Sequence, residues 1–217
     1  ERPAAWVSVW TSPDFTPGSM ALLNTLGFAG LALLLVLPLG ILYAYAVWRG
    51  SRWLDWLGLL PLMISPVAIG LGYLLAYPGL RGSLVILIAA YALLSYPLLA
   101  RALLPALRAM PTGLVEAARV LGAGPWRRWV RVEWPLVRPA ALAGLALALA
   151  AIIGELGATL TLQRPEWTTL SVAIYERLGR PGALPFQEAV VLAVLLMGLC
   201  MALLMLLERS FRQRGEG

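Results

Sequence analysis

Five stretches of this chain are each apolar over close to the roughly 20 residues that an α-helix needs to cross the hydrocarbon core of a bilayer. They fall at residues 20–48, 54–77, 83–104, 139–160 and 186–207. Lipid offers a backbone no hydrogen-bond partners, so each run must satisfy its own amides as a helix. The expected fold class is therefore all-α: a polytopic helical membrane protein with about five transmembrane helices. Composition agrees, since 60% of the 217 residues are hydrophobic and 13% are charged, where a soluble domain carries about 25% charged residues. Pro61 and Pro66 interrupt the second span. Pro66 falls about 12 residues into it, near mid-bilayer at 1.5 Å per residue. A kink is expected there, with the freed carbonyl facing protein or a water-filled path.

The charges say which way the helices run. All 17 basic residues are Arg. Twelve fall on one side: Arg49 and Arg52 in the first loop, seven from Arg101 to Arg138 around the third, and Arg209, Arg212 and Arg214 in the tail. Arg2, Arg81, Arg164, Arg177 and Arg180 fall on the other. The Arg-rich side is expected to be cytoplasmic. Topology and anionic membrane lipid thus account for the net charge of +6, and no nucleic-acid partner is needed. This orientation puts residues 1–18 outside and the C-terminus inside. The chain begins at Glu1, and an external start calls for something upstream to carry it across. The expectation is the later part of a longer protein, with a processed N-terminus as the alternative.

Several chemistries have no residues to carry them. There is no His and a single Cys, Cys200, so neither a His- or Cys-based metal site nor an internal disulfide is expected. Without Lys the chain has no phosphate-binding loop of the Gly-x-x-x-x-Gly-Lys type. No nucleophile–base pair stands out. Neither a catalytic residue nor a cofactor is expected, and kinked helices around a central path fit a transporter, with an ordinary proline kink in a packed bundle as the alternative. An ion-coupled secondary transporter is the competing class. It often shows inverted repeats and several carboxylates within its spans, whereas here only Glu155 lies clearly in a span and no inverted repeat is visible.

The loop between spans three and four breaks the apolar pattern. Its sequence Glu116–Pro135, EAARVLGAGPWRRWVRVEWP, carries Arg119, Arg127, Arg128 and Arg131 against Glu116 and Glu133. Residues 112–121 read as a short helix with Thr112 as N-cap, Glu116 near its positive end, and Gly122 as the left-handed stop. Gly124-Pro125 restarts a second helix. It places Trp126, Trp129 and Val130 on one side and Arg127, Arg128 and Arg131 on the other, and Pro135 is expected to end it. That is the pattern of a helix lying at a membrane surface. Ala117, Ala118 and Gly122 form a small-residue face that admits another backbone, so the projection is either a helix laid in a partner's groove or an interfacial anchor.

The spacing of this loop resembles the signature of the permease subunits of binding-protein-dependent ABC importers. Glu116-Ala117-Ala118, three residues, Gly122, nine residues, Val132, one residue and Trp134-Pro135 follow that signature, with Val132 and Trp134 departing from its usual Ile-x-Leu-Pro end. The resemblance runs from about Leu22 to Glu208 and implies the type I importer permease fold. It also implies that Glu116, Ala117, Ala118, Arg119 and Gly122 belong to a coupling helix that docks on a separate cytoplasmic ATPase subunit. An external substrate-binding protein, and a second permease half or a second copy of the chain, complete the implied assembly. A second stretch, Gly154-Glu155-Leu156-Gly157-Ala158-Thr159 with Arg164-Pro165-Glu166 and Arg180-Pro181-Gly182, looks like the permeases for iron(III) and thiamine, and more distantly those for molybdate and sulfate. In the iron and thiamine group two permease halves often share one polypeptide, and this chain resembles the C-terminal half. The implied organisation is an external segment at 1–18, a permease domain at 19–208 with its coupling loop at about 105–138, and a cytoplasmic tail at 209–217. The location implied is a bacterial inner membrane.

Glu155 and Pro66 are the candidates for the substrate path. An acidic residue within a span is costly and is by default a functional candidate. Glu155 is expected to line the outer part of the path or to hold its outer gate, or else to serve helix packing. Ala140, Gly144 and Ala148 recur at i, i+4 and are expected to let helices approach closely. Residues 164–182 form an external segment with a short helix near 168–178, which either meets the binding protein or caps the pore.

Overall fold

The computed structural model describes residues 2–11, 14–50, 52–162 and 164–212, and every regular element among them is helical. The elements are α1 (Arg2–Thr11), α2 (Gly18–Trp48), α3 (Arg52–Leu57), α4 (Leu60–Met63), α5 (Pro66–Ala76), α6 (Leu84–Arg108), α7 (Thr112–Val120), α8 (Pro125–Arg128), α9 (Trp134–Ile153), α10 (Gly157–Leu162), α11 (Leu170–Leu178) and α12 (Ala183–Arg212). Among the described residues, four stretches are long and apolar enough to cross a membrane singly: Gly18–Trp48, Leu84–Arg108, Pro125–Ile153 and Ala183–Met205. Counting the bent pair Trp53–Met63 and Pro66–Ala76 as one crossing gives the expected five.

Helix α6 is the centre of the bundle, packed between α2 and α9. Close approach is possible because glycines face it from both sides. Leu99 of α6 is fully buried and fills the space left by Gly40 of α2 and Gly144 of α9. A Cβ on Gly144 would stand 2.8 Å from the Leu99 Cα, a backbone atom that cannot swing aside. Gly144 and Ala148 are buried and Ala140 is half-buried, so the small-residue row of the fourth span serves a helix contact within the chain. Around this seam Val36, Leu87, Tyr91, Leu103, Leu107, Val137 and Ile153 form one apolar core. A second, smaller cluster sits at the end away from the Arg-rich loops, where Ala5 and Val9 of α1 pack with Ala21, Leu170 and Leu192.

Several expectations drawn from the sequence change. The kink expected in the second span is a full break: its two pieces bend by 99° at Ile64-Ser65. Two prolines, Pro61 and Pro66, leave this stretch short of backbone donors, and the residue before a proline is pushed out of the helical region. Ser65 accordingly has extended backbone angles and caps α5, with Pro66 in its first turn. The fourth span is also interrupted, at Gly154–Leu156, and restarts as α10.

Pro135 does not end the helix of the loop between spans three and four, which runs on without a break into the fourth span as the rod Pro125–Ile153. A π turn at Trp129–Glu133, closed by a bond from the Trp134 amide to the Trp129 carbonyl, lies just before Pro135. The wider turn makes room where a proline lacks its N–H and crowds the preceding turn. At the other boundaries, α7 is capped by Pro111 with Thr112 as its first helical residue, and Glu116 lies in its second turn, beyond the reach of the helix-end charge. Helix α12 extends into the expected tail as far as Arg212; residues 213–217 lie outside the described residues.

Candidate functional site

The residues singled out from sequence collect at the two ends of α9. Its 20 residues span about 30 Å at 1.5 Å each. The Glu116–Gly122 projection lies toward one end, and Glu155 and Pro66 toward the other.

The projection is built by a helix stop of the Schellman type. The Ala123 amide donates to the Ala118 carbonyl at 2.9 Å and the Gly122 amide to the Arg119 carbonyl at 2.9 Å. Gly122 takes φ +74°, the left-handed conformation that glycine adopts at no steric cost. Among the described residues nothing lies within 4 Å of where its Cβ would be, so the requirement for glycine inside this molecule is conformational. Ala118 is buried, while Glu116, Ala117 and Arg119 are exposed. Leu114, Ala117 and Leu121 recur at i, i+3 and i+7, and with Val120 they give the projection an exposed apolar face. Val120 and Leu121 are each 86% exposed.

Behind the projection lies a buried ion pair that the sequence did not reveal. Arg128 Nε donates to Glu133 Oε1 at 2.7 Å, with the Glu133 side chain 4% exposed. The expected amphipathic split therefore fails at Arg128, which turns inward to the carboxylate although it follows Arg127 in sequence. Trp48, Val115 and Arg119 line a small cleft together with this pair, joining α2, α7 and the π turn. Trp126, Trp129 and Trp134 form a continuous aromatic row along the same stretch. A further tie at this Arg-rich end, Asp55 with Arg101 at 3.3 Å and Arg108 at 3.8 Å, holds α3 against α6. The signal for these pairs was present only as charge of opposite sign; the fold decides which charges meet.

At the far end, Glu155 organises the broken fourth span. Its carboxylate accepts from the amides of Gly157 (2.9 Å), Ala158 (3.1 and 3.2 Å) and Thr159 (3.3 Å), and from the Thr159 hydroxyl (3.3 Å). These amides are the donors that a helix start leaves without partners. The acidic residue is thus the cap of α10, and it satisfies a backbone that lipid could not. The Tyr91 phenol meets the Thr159 hydroxyl at 2.6 Å and ties this cap to α6. On the other side of the break, the Ser171 hydroxyl donates to the Ile153 carbonyl at 2.9 Å.

The segments that follow Pro66 and Glu155, distant in sequence, come together here. Helix α10 packs on α5. A Cβ on Gly157 would press on Pro66 and Val67, and one on Gly70 would overlap the Thr161 hydroxyl. The two interruptions therefore lie side by side, with Met63, Ile64 and Val67 exposed at the surface of the chain. Beyond them, Arg164, Arg180, Asp14 and Glu176 line an open depression of about 600 Å³. Arg177 is fully buried beside it, bonded to Glu188 at 3.0 Å and to the Thr16 carbonyl at 3.1 Å, with Phe15 stacked 4.6 Å away. Asn24 fastens the loop before α11 through the Glu166 and Thr168 carbonyls at 3.0 and 3.1 Å. Among the described residues no group of His, Cys, Asp or Glu side chains is arranged to hold a metal ion.

Comparison with known proteins adds to this geometry. The family model described as binding-protein-dependent transport system inner membrane component matches residues 36–214. The chain is 32% identical over 204 residues to a putative 2-aminoethylphosphonate transport system permease protein of Salmonella typhimurium, covering 90% of this chain and 76% of that one. It is 34% identical over 197 residues to the molybdenum transport system permease protein of Escherichia coli, covering 80% and 84%. Among solved structures, a bacterial alginate ABC transporter in complex with an alginate-bound periplasmic protein superposes with a TM-score of 0.75 at 22% identity, over 96% of this chain and 82% of that one. That likeness speaks to the fold.

Proposed function

The chain belongs to the binding-protein-dependent transport system inner membrane components, and from that membership we propose that it couples a substrate path to ATP hydrolysis on a separate cytoplasmic subunit. It is a multi-pass inner-membrane permease of an ABC importer, and this membership favours the importer over the ion-coupled transporter. The observation that carries the coupling is the α7–Gly122 projection. It is a short helix with an exposed apolar face, ended by a glycine whose missing side chain would touch nothing among the described residues. A partner's groove is the surface that such a helix fits.

In this reading Glu116, Ala117, Arg119 and Gly122 meet the ATPase, on the Arg-rich, cytoplasmic side, while Ala118, expected on the same face, is buried and packs the projection against its own chain. The adjoining breaks at Ser65-Pro66 and Gly154–Leu156 face the path. Irregular backbone at membrane depth is tolerated where it is buried in protein or lines water, and the exposed Ile64 and Val67 call for a second permease half or a second copy opposite them. Glu155 acts there by holding α10 in place and contacts substrate only indirectly. The depression bordered by Arg164 and Arg180 faces the external binding protein.

For the substrate, the named relatives favour an oxyanion over iron(III) or thiamine. One is named for 2-aminoethylphosphonate and another for molybdenum. The test is uptake by liposomes holding this chain with its ATPase, binding protein and partner half. Competition among molybdate, 2-aminoethylphosphonate, iron(III) and thiamine should favour one of the first two. Uptake of iron(III) or thiamine alone would overturn the substrate reading. Uptake without ATP would overturn the coupling reading.

A further inference from the structure

Six of the nine tryptophans, Trp48, Trp53, Trp56, Trp126, Trp129 and Trp134, gather at the Arg-rich end of the bundle. Tryptophan concentrates where a membrane meets water, because its ring is apolar and its N–H is polar. Trp53, Trp56 and Trp126 are 82%, 75% and 74% exposed, which marks the level of the bilayer interface on this molecule.

A groove of about 830 Å³ opens at that level between α2 and the α8–π-turn segment. Its apolar wall runs along α2 from Leu37 to Ala46, about 14 Å at 1.5 Å per residue. It continues the outer face of α2, where Leu31, Leu34, Leu35 and Leu42 are exposed. The facing wall carries the stacked Trp126 and Trp129, and at the groove's upper end stand Arg49 and Arg128. The Glu133 carboxylate that also borders the groove is neutralised by Arg128 at 2.7 Å. Among the described residues no carboxylate lies within ion-pair distance of Arg49. The groove is thus greasy along its length and carries one uncompensated positive charge at its polar mouth.

We infer that this groove holds an anionic phospholipid of the same leaflet, with an acyl chain along Leu37–Ala46 and the phosphate at Arg49. Charge and polarity are ordered as such a lipid orders them: apolar at depth, aromatic at the interface, cationic at the headgroup. A protein segment would need a carboxylate at that one height to do the same.

The test uses the assembled transporter in phosphatidylcholine vesicles doped with brominated phosphatidylglycerol or brominated phosphatidylcholine. The Trp126 signal is taken as the difference from a Trp126→Phe variant. The phosphatidylglycerol should quench it more strongly, and Arg49→Gln should weaken that preference by about five-fold, the worth of one cationic contact at a membrane surface. Arg131→Gln removes the same charge from an exposed site outside the groove and should leave the preference intact. Equal quenching by the two lipids, or an equal loss in both variants, would reduce the site to ordinary surrounding lipid. No quenching of Trp126 by either lipid in the assembled transporter would show that protein fills the groove. Either result overturns the inference.

Discussion

Replacing Glu155 by Ala strips the cap from α10. Three amides, those of Gly157, Ala158 and Thr159, lose the carboxylate, and the Thr159 hydroxyl loses one of its contacts. A buried donor left without a partner costs about 1–3 kcal/mol. Glu155 is half-buried, so water can reach part of the vacated space. The net local cost is then about 2–4 kcal/mol, above the ~1 kcal/mol typical of an exposed helix cap. Glu155→Gln keeps an acceptor oxygen but loses the charge that roughly doubles each bond, so about half of the loss should remain. The assay is amide hydrogen exchange of the detergent-solubilised chain, read at Gly157–Thr159 with α6 as internal reference. At 1.36 kcal/mol per tenfold, Glu155→Ala should lower protection there by roughly 30-fold or more, with Glu155→Gln between it and the wild type. Unchanged protection at Ala158 and Thr159 in the Ala variant would refute the capping role and reopen Glu155 as a residue that contacts substrate directly.

Three other outcomes follow from the same structure. In a Cys200→Ala background, single cysteines at the exposed Arg127 and Arg180 should label from opposite faces of sealed vesicles; labelling of both from one face would overturn the orientation. Arg177→Met leaves the Glu188 charge buried and should destabilise the solubilised chain by about 3–5 kcal/mol in denaturant titration, whereas the double variant Arg177→Met/Glu188→Leu should recover most of it. Gly144→Val drives a side chain into the Leu99 backbone and should abolish recovery of folded protein, while Gly27→Ala, with open space around its Cβ, should be recovered as wild type in gel filtration.

Hydrophobic run length made the helices legible, and alternation of Arg content made their direction legible as an expectation. Gly122 was readable as a left-handed stop because glycine after a short helix has few other uses. The breaks were harder. Pro66 announced a disturbance, but whether a proline gives a kink or a 99° bend depends on what packs against the break, and here that is α10, some ninety residues later. Glu155 stood out as an expensive charge, yet its partners are amides, which every residue has, so the capping role carries no residue signature. Arg128 looked like its neighbour Arg127 until folding buried Glu133 beside it. The continuity of Pro125–Ile153 through Pro135 rests on a π turn, whose hydrogen-bond register is not written in residue types.

The central claim is that the α7–Gly122 projection is a coupling surface, and Gly122→Val tests it most directly. The position requires φ +74°, which a β-branched residue adopts poorly and Asn tolerates. Nothing among the described residues lies within 4 Å of the new Cβ, so no clash with them competes as an explanation. The measurement is copurification of the ATPase subunit together with substrate-stimulated ATP hydrolysis in liposomes, for Gly122→Val, Gly122→Asn and wild type at equal membrane insertion. The account predicts that Val inserts normally and loses both, while Asn keeps most of the ATPase binding. Wild-type binding and stimulated hydrolysis in Gly122→Val would contradict it and leave the projection as an anchor on the membrane surface.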